Sequence, residues 1–289
     1  MSRKPPCGEC LLDSRELPDL PAPSDTHVPL PGTRPEGAAS EQEAGQYVRR
    51  MFSEISGSYD SLNHLLTGNL DRMWRRRTAR AFDHILRRPD ARVLDLCSGT
   101  GDLALALKRQ ATHSCSPGAA VFGADFSHAM LLRAAQKGRE AAAVRDARAN
   151  EIGWLEADAL SLPFAPASFD LITLAFGFRN LVNYSAGLRA LFQFLRPGGE
   201  LGILECADPR GPLFGPLYRF YFRRILPLIG GAISGSAAAY TYLPESVEKF
   251  PGPETLARMM GDVGFSDVGY QLWTGGAIAL HRGKRPAHS

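Results

Sequence analysis

Glycines and acids meet at one place in this sequence. Val93-Leu94-Asp95-Leu96-Cys97-Ser98-Gly99-Thr100-Gly101-Asp102 follows an apolar run and opens a helix-like segment. Glycines in a strand-to-helix turn let the backbone turn tightly and approach a ligand closely. The order is D-x-x-x-G-x-G, an acid ahead of the glycines, not G-x-G-x-x-G. A dinucleotide pyrophosphate needs an open helix N-terminus. Carboxylates at Asp95 and Asp102 would repel it. They suit the ammonium and sulfonium charges of S-adenosylmethionine instead. The turn from Asp95 to Gly101, with Gly99 at its centre, is therefore expected to hold that cofactor. The plainer alternative is a tight turn with no ligand.

Two further acids follow at telling distances. Asp125 ends a second apolar run about 24 residues beyond Gly101, near the spacing of an acid that accepts from ribose hydroxyls. Its competing role is a helix cap near Ala129, which Ser127 could fill. Asp158-Ala159 follows a third run. There a carboxylate could take an adenine amino group and the Ala159 amide a ring nitrogen. The fourth stretch is Thr173-Leu174-Ala175-Phe176-Gly177-Phe178-Arg179-Asn180. An arginine and an amide at a strand end are costly to bury without a purpose. The plain alternative for Arg179 is a surface ion pair.

The elements that must position these residues alternate. Strands are expected over 92–96, 119–124, 153–157, 169–175 and 200–205. Helices are expected from 102 to about 109, 129 to about 139, and 188–195. Such alternation implies right-handed crossovers and a mostly parallel sheet covered on both faces. Residues 207–250 break it. They are aromatic, then rich in glycine and alanine, with Gly230, Gly231 and Gly235, and read as a helical insert. A helix from Glu254 to about Val263 follows. Strands near 268–273 and 277–281, joined at Gly275-Gly276, look like a hairpin. Upstream, Ser40 and Glu43 resemble a capping box that opens helices running to about Leu86. Residues 1–40 are proline-rich without apolar periodicity and read as a disordered extension. The catalytic domain is expected over 41–285, with a helical lid at 41–90.

Composition narrows the class. Apolar residues make up 44% and the net charge is +3, so the chain can build a core and shows no electrostatic case for nucleic acid. The arginines from Arg72 to Arg80, and Arg219, Arg223 and Arg224, are either solvated helix faces or contacts to anionic lipid. Five irregularly spaced cysteines argue against a disulfide framework and for a reducing compartment. Cys7 and Cys10 have only His27 nearby, too few ligands for zinc, so no metal is expected. No apolar leader precedes the tail, and its acids argue against mitochondrial import. No apolar run is long enough to span a membrane. A cytoplasmic protein is expected, with peripheral contact at the inner membrane face and a homodimer left open.

Several stretches together resemble a known family. Met51-Phe52 through Tyr59-Asp60-Ser61-Leu62-Asn63 to Trp74-Arg75, Val93 to Asp102, Phe176-Gly177-Phe178-Arg179-Asn180, Leu195-Arg196-Pro197-Gly198-Gly199 and Ala279-Leu280-His281-Arg282-Gly283 are similar to the ubiquinone/menaquinone biosynthesis C-methyltransferases. The likeness runs from about residue 46 to 284. It implies a Rossmann-like class I methyltransferase fold, a seven-stranded sheet with helices on both faces, and a prenylated quinol methylated on ring carbon. The favoured acceptor is demethylmenaquinol. The alternatives are a polyprenyl benzoquinol of the ubiquinone pathway, or another small phenol. Cofactor contacts are implied at Thr100, Asp125, Asp158, Ala159 and Ala175. The chain departs from the family at Ala175, often serine, and at Cys97, where many methyltransferases have glycine. The implied acceptor site has Arg179 as the cation lowering the phenol pKa, Asn180 orienting the hydroxyl, and Tyr59, Asp60 and Asn63 lining a lid. The rivals from other classes are a nicotinamide oxidoreductase, disfavoured by the acid-first turn, and an inactive binding protein.

Overall fold

Arg92-Val93-Leu94-Asp95-Leu96 places apolar side chains on both faces of the pleat, and Val93, Leu94 and Leu96 are all buried. A strand covered on both faces is a central strand of a parallel sheet. In a computed structural model of the protein, which describes residues 32–113, 119–143, 151–209, 214–225 and 237–287, this run is β1 (Arg92–Leu96). It is joined by β2 (Ala120–Asp125), β3 (Ile152–Glu156), β4 (Phe169–Ala175), β5 (Leu195–Cys206), β6 (Ser266–Trp273) and β7 (Ile278–Lys284). The seven strands form one sheet in the order β3-β2-β1-β4-β5-β7-β6. Strands β1 to β5 pair in parallel. Only β7 runs against its neighbours β5 and β6. The chain moves outward from β1 through β2 to β3 and then returns to β4 on the other side of β1. That reversal opens a crevice at the carboxyl ends of β1 and β4.

Helices cover both faces. The N-terminal set is α1 (Glu41–Ile55), α2 (Tyr59–Leu66), α3 (Leu70–Ala81) and α4 (Asp83–Leu86). The crossovers carry α5 (Asp102–His113), α6 (His128–Ala143) and α7 (Tyr184–Phe194). Then come α8 (Phe214–Phe220), a π-helical turn over Tyr221–Ile225, α9 (Ala237–Lys249) and α10 (Pro253–Val263). One core packs α3, α4 and α5 against the sheet. A second packs α7 and α10 on the other face. A third, with Val48, Met51, Leu62, Met130 and Tyr242, ties the N-terminal helices to α6 and α9.

The expected caps and turns are present, with local differences. Ser40 Oγ accepts from the Glu43 amide at 3.1 Å, while Glu43 reaches the amide of Ala39 rather than that of Ser40. Gly275 and Gly276 turn the β6–β7 hairpin at positive φ of 65° and 92°. Strand β5 starts at Leu195, five positions before the expected 200: Leu195 pairs with Phe169 and Glu200 with Leu171, and the R-P-G-G residues between them form an irregularity where the register shifts. The glycines of the insert, Gly230, Gly231 and Gly235, lie outside the described residues, as do Cys7, Cys10, His27 and Cys115.

The segment before α1 corrects one expectation. Residues 32–40, assigned to a disordered extension, pack on the body of the protein. Thr33 N donates to Leu181 O at 2.8 Å, and Arg34 Nη1 donates to Val182 O at 2.9 Å. Gly32 lies so close to the 181–183 backbone that a Cβ would stand 2.2 Å from Val182 C. These contacts all run to the main chain of 181–183, and they leave no apolar period in the sequence.

Candidate active site

The crevice at the carboxyl ends of β1 to β4 holds a cavity of about 610 Å³. Gly99, Asp125, Asp158, Ala159, Ala175 and Asn180 line it, each from the carboxyl end of a parallel strand or the loop after it. Phe52 of α1 and Tyr59 of α2 close the side away from the sheet. Their rings meet edge-on at 6.0 Å.

The turn after β1 works through its backbone. Cys97, Gly99 and Gly101 all have positive φ, at 53°, 54° and 83°. Cys97 thus takes a conformation suited to glycine, at a strain of about 1–2 kcal/mol, and the turn keeps its shape. Gly99 N donates to Asp125 Oδ2 at 2.8 Å, and Ser127 N donates to Asp125 Oδ1 at 2.9 Å. With about four lone-pair sites in all, the carboxylate keeps capacity to accept from a ligand hydroxyl. Burial pushes the Asp125 carboxyl up to about 6, against the pull of the Ser127 and Gly99 amides. Asp158 Oδ1 accepts from Leu160 N at 2.8 Å, which leaves Oδ2 uncommitted by that turn.

The other residues of the turn sit beneath the cavity. Asp95 and Thr100 line a recess of about 20 Å³ together with Tyr59, Arg75 and Asp102. Asp95 Oδ1 accepts from Thr173 at 3.0 Å. Its Oδ2 is buried without a partner among the described residues, and burial raises its pKa to about 7. Thr100 Oγ1 donates to Asp60 at 2.5 Å and lies 3.2 Å from Lys137 Nζ. Asp102, expected to add charge for a cationic ligand, is already neutralised by Lys137 and lies 3.8 Å from Arg75. Gly101 lines neither space. A Cβ there would fall 2.5 Å from the Trp154 ring, so its absent side chain serves the packing of α5 on β3.

The turn after β4 is the second built feature. Phe176 has φ 60°, and Gly177 passes so close to the first turn that a Cβ would meet Cys97 Cβ at 2.3 Å. Arg179 differs from its expected placement as a cation facing the acceptor. It does not line the cavity. Glu205, at the end of β5, takes its Nη1 at 2.8 Å and its backbone N at 3.1 Å. Phe176 O accepts from the same Nη1 at 2.6 Å. A buried cation needs such a counterion. Burial by itself would loosen the Arg179 proton, but Glu205 outweighs it and the guanidinium stays charged. Asn180 does face the cavity. Its Oδ1 accepts from Tyr242 Oη at 3.0 Å, and Tyr242 Oη is 2.9 Å from Thr33 Oγ1. Tyr59 is pushed by burial to hold its proton more tightly, against Arg179 and Arg75.

Glu205, Tyr242, Thr33 and Lys137 were not singled out in the sequence. Glu205 had a signal, an acid at the end of a buried strand. The partners of the other three are distant in sequence. The cluster of His64, Asp71 and Asp102 has metal-like spacing, but Arg75 and Lys137 already fill it with positive charge.

Residues 40–285 match the model of the ubiE/COQ5 methyltransferase family. The demethylmenaquinone methyltransferase of Thermus thermophilus is 51% identical over 236 residues, which is 82% of this chain and all of that one. The ubiquinone/menaquinone biosynthesis C-methyltransferase UbiE of Geobacter sulfurreducens is 40% identical over 243 residues, covering 84% of this chain and 90% of that one. A SAM-dependent methyltransferase structure from Thermotoga maritima aligns with a TM-score of 0.55 over 82% of this chain and 99% of that one. At 16% identity, that likeness speaks for the fold alone. The Rossmann-like sheet with its reversal at β1, the glycine turn against Asp125 and a family match across nearly all the described residues converge: this chain belongs to the ubiE/COQ5 methyltransferase family and is a methyltransferase.

Proposed function

We propose that the protein methylates a ring carbon of a prenylated quinol, demethylmenaquinol first among acceptors, with S-adenosylmethionine as donor. The observation that carries the acceptor is the 51% identity to the Thermus thermophilus demethylmenaquinone methyltransferase along that protein's whole length. The donor fits the donor–acceptor set of the cavity. Asp125 keeps acceptor capacity for the ribose hydroxyls, Asp158 has an oxygen for the adenine amino group, and Asp95 has an unpaired oxygen beneath the turn.

When bound, S-adenosylmethionine supplies an electrophilic methyl group. The chain's own task is to make the acceptor carbon a nucleophile. A quinone ring carbon is electrophilic, so the acceptor is the reduced quinol. Its phenol has an ordinary pKa near 10. Loss of that proton to water places charge on the carbon ortho to the oxygen. Once that carbon carries the methyl, its own hydrogen leaves as a proton while the oxygen is reprotonated, which restores the aromatic quinol. Hydrogen-bond donors at the oxygen stabilise the phenolate charge. Asn180 supplies an amide N–H, and Tyr59, which keeps its proton, supplies an O–H. Arg179 does not act as a free charge, because Glu205 balances it. It holds the turn that carries Asn180.

The same reading gives the protein a reason to meet a bilayer, where a prenylated quinol is dissolved. Leu217 and Phe220 of α8 are exposed, as are Leu65, Leu70 and Met73 at the α2–α3 corner. Tyr221 Oη donates to Leu66 O at 2.7 Å and so ties the two groups together.

The test is direct. Purified protein is given S-adenosylmethionine with demethylmenaquinol or with a polyprenyl methoxybenzoquinol, both kept reduced, and products are read by mass spectrometry. Methylated naphthoquinol with matching S-adenosylhomocysteine is expected. Methylation of neither quinol, with turnover of an unprenylated phenol, would overturn the acceptor.

A further inference from the structure

The amide of Asn180 is fixed from two remote parts of the chain. Asn180 Oδ1 can only accept, so Tyr242 Oη donates to it, at 3.0 Å. That uses the single tyrosine hydrogen. The 2.9 Å contact between Thr33 Oγ1 and Tyr242 Oη must therefore run from threonine to tyrosine. The chain of bonds is Thr33 O–H to Tyr242 O–H to Asn180 Oδ1, and it has one direction. With Oδ1 taken, the two N–H donors are the free end of the amide. One faces Phe176 O at a long 3.4 Å, and Asn180 lines the cavity.

Both remote groups are held for this role. Thr33 is 6% exposed and Tyr242 7% exposed, and Tyr47 tilts against the Tyr242 ring at 6.3 Å. Gly32 lets the strap lie flat on Leu181–Asn183, Thr33 N bonds to Leu181 O, and Arg34 bridges Val182 O and Glu41. Each anchor lies on the residues that follow Asn180 directly or on the start of α1. The strap at 32–34 precedes residue 40, where the family match begins.

We propose that Tyr242 and Thr33 are positioning residues which lock the Asn180 amide with its N–H face toward the acceptor oxygen. Without them the amide can present either end. An oxygen turned toward a phenolate repels it, while an N–H stabilises it. The proposal rests on the reading of the cavity as a phenol-methylating site.

Two measurements on the full chain test it. The first is binding of 1-naphthol in the presence of S-adenosylhomocysteine, by calorimetry. Tyr242→Phe is expected to weaken naphthol binding about 10-fold, the worth of one oriented hydrogen bond, with S-adenosylhomocysteine affinity unchanged. In an Asn180→Ala background the same substitution should do nothing further, since the group it orients is gone. Thr33→Val should give a smaller loss of the same kind. The second is the pH dependence of kcat for the quinol. An amide that no longer favours the phenolate moves the rising limb to higher pH in Tyr242→Phe. Equal losses with and without Asn180, or an unmoved limb with wild-type naphthol affinity, would overturn the proposal. If naphthol binding shows the coupling while no quinol is methylated, the functional reading fails and the positioning device stands.

Discussion

Two buried acids, Asp125 at the cavity and Asp95 in the recess beside it, tie stability and cofactor affinity to pH in opposite ways. Burial raises Asp125 to about 6 and Asp95 to about 7, both above the value of about 4 for a free aspartate. At these two sites the folded chain thus binds more protons than the unfolded chain between those values. The contribution of these two acids to stability is expected to fall as pH rises from about 4 toward 7, because ionising each inside costs more than ionising it in water. His281, lowered by burial to about 4, contributes with the opposite sign. Cofactor binding has the other sign. Asp125 can accept from two hydroxyls only as the carboxylate, because the protonated form turns one oxygen into a donor. Affinity for S-adenosylhomocysteine should therefore climb through a pH of about 6 and level off above it. In Asp125→Asn, one acceptor becomes a donor, so affinity should drop at least about 10-fold and lose that climb. Calorimetry across the range checks both. A wild-type affinity flat through a pH of about 6 would remove Asp125 from the hydroxyls.

At the scale of elements, Trp154 explains why the glycines stand where they do. The ring of this β3 residue lies against Gly101 at the start of α5, Gly123 in β2 and Gly138 in α6. A side chain at the first two would meet it at 2.5 Å or less. The glycine turn is thus set by packing as well as by ligand approach. Gly101→Ala combines this overlap with a φ of 83°. It is expected to cost about 2–4 kcal/mol from overpacking and left-handed strain together, read as a lower midpoint in urea. Adding Trp154→Ala should return the overlap part but not the strain. No recovery at all would mean that φ alone dictates glycine here. Much of this scale was legible in the sequence. The runs at 93–96 and 171–174, broken only by Asp95 and Thr173, carry apolar side chains on both faces and read as covered strands, and Asp125 and Asp158 are found by their place at or just after strand ends. Arg179 was legible as a costly group but not its direction, because Glu205 reaches it from a strand 26 residues away. Thr33 and Tyr242 meet across 209 positions, and no local period can signal such a pair.

The whole molecule brings a water-filled catalytic problem to a lipid-borne acceptor, and its surface is uneven in a way that bears on this. No helix among the described residues is long and apolar enough to cross a membrane. From residue 61 to 80 the exposed charged side chains are Arg72, Arg76, Arg77 and Arg80, while the one acid, Asp71, is buried. Arg72, Arg76 and Arg80 recur every four residues along one side of α3, beside exposed Leu70 and Met73. Arg224, beyond α8, is exposed as well. Apolar side chains ringed by arginine suit the interface of an anionic bilayer, with each arginine near the surface contributing about 1 kcal/mol. From that corner the packing is continuous to the cavity. Leu66 and Tyr221 share a cluster with Phe52, Tyr59, Phe126 and Met130, four residues that line it. A prenyl tail lying along this cluster would leave the quinol ring at Asn180 while its far end stays in lipid. Leu217→Ser with Phe220→Ser removes two exposed apolar groups worth roughly 1.5–3 kcal/mol each when fully inserted. Co-sedimentation with vesicles containing phosphatidylglycerol should then fall by at least about 10-fold, with S-adenosylhomocysteine affinity kept. Arg72→Gln with Arg76→Gln should weaken binding to anionic vesicles and leave any binding to phosphatidylcholine as it was. Unaltered sedimentation of both pairs would place membrane contact elsewhere on the molecule, and the tail path through Leu66 and Tyr221 would go with it.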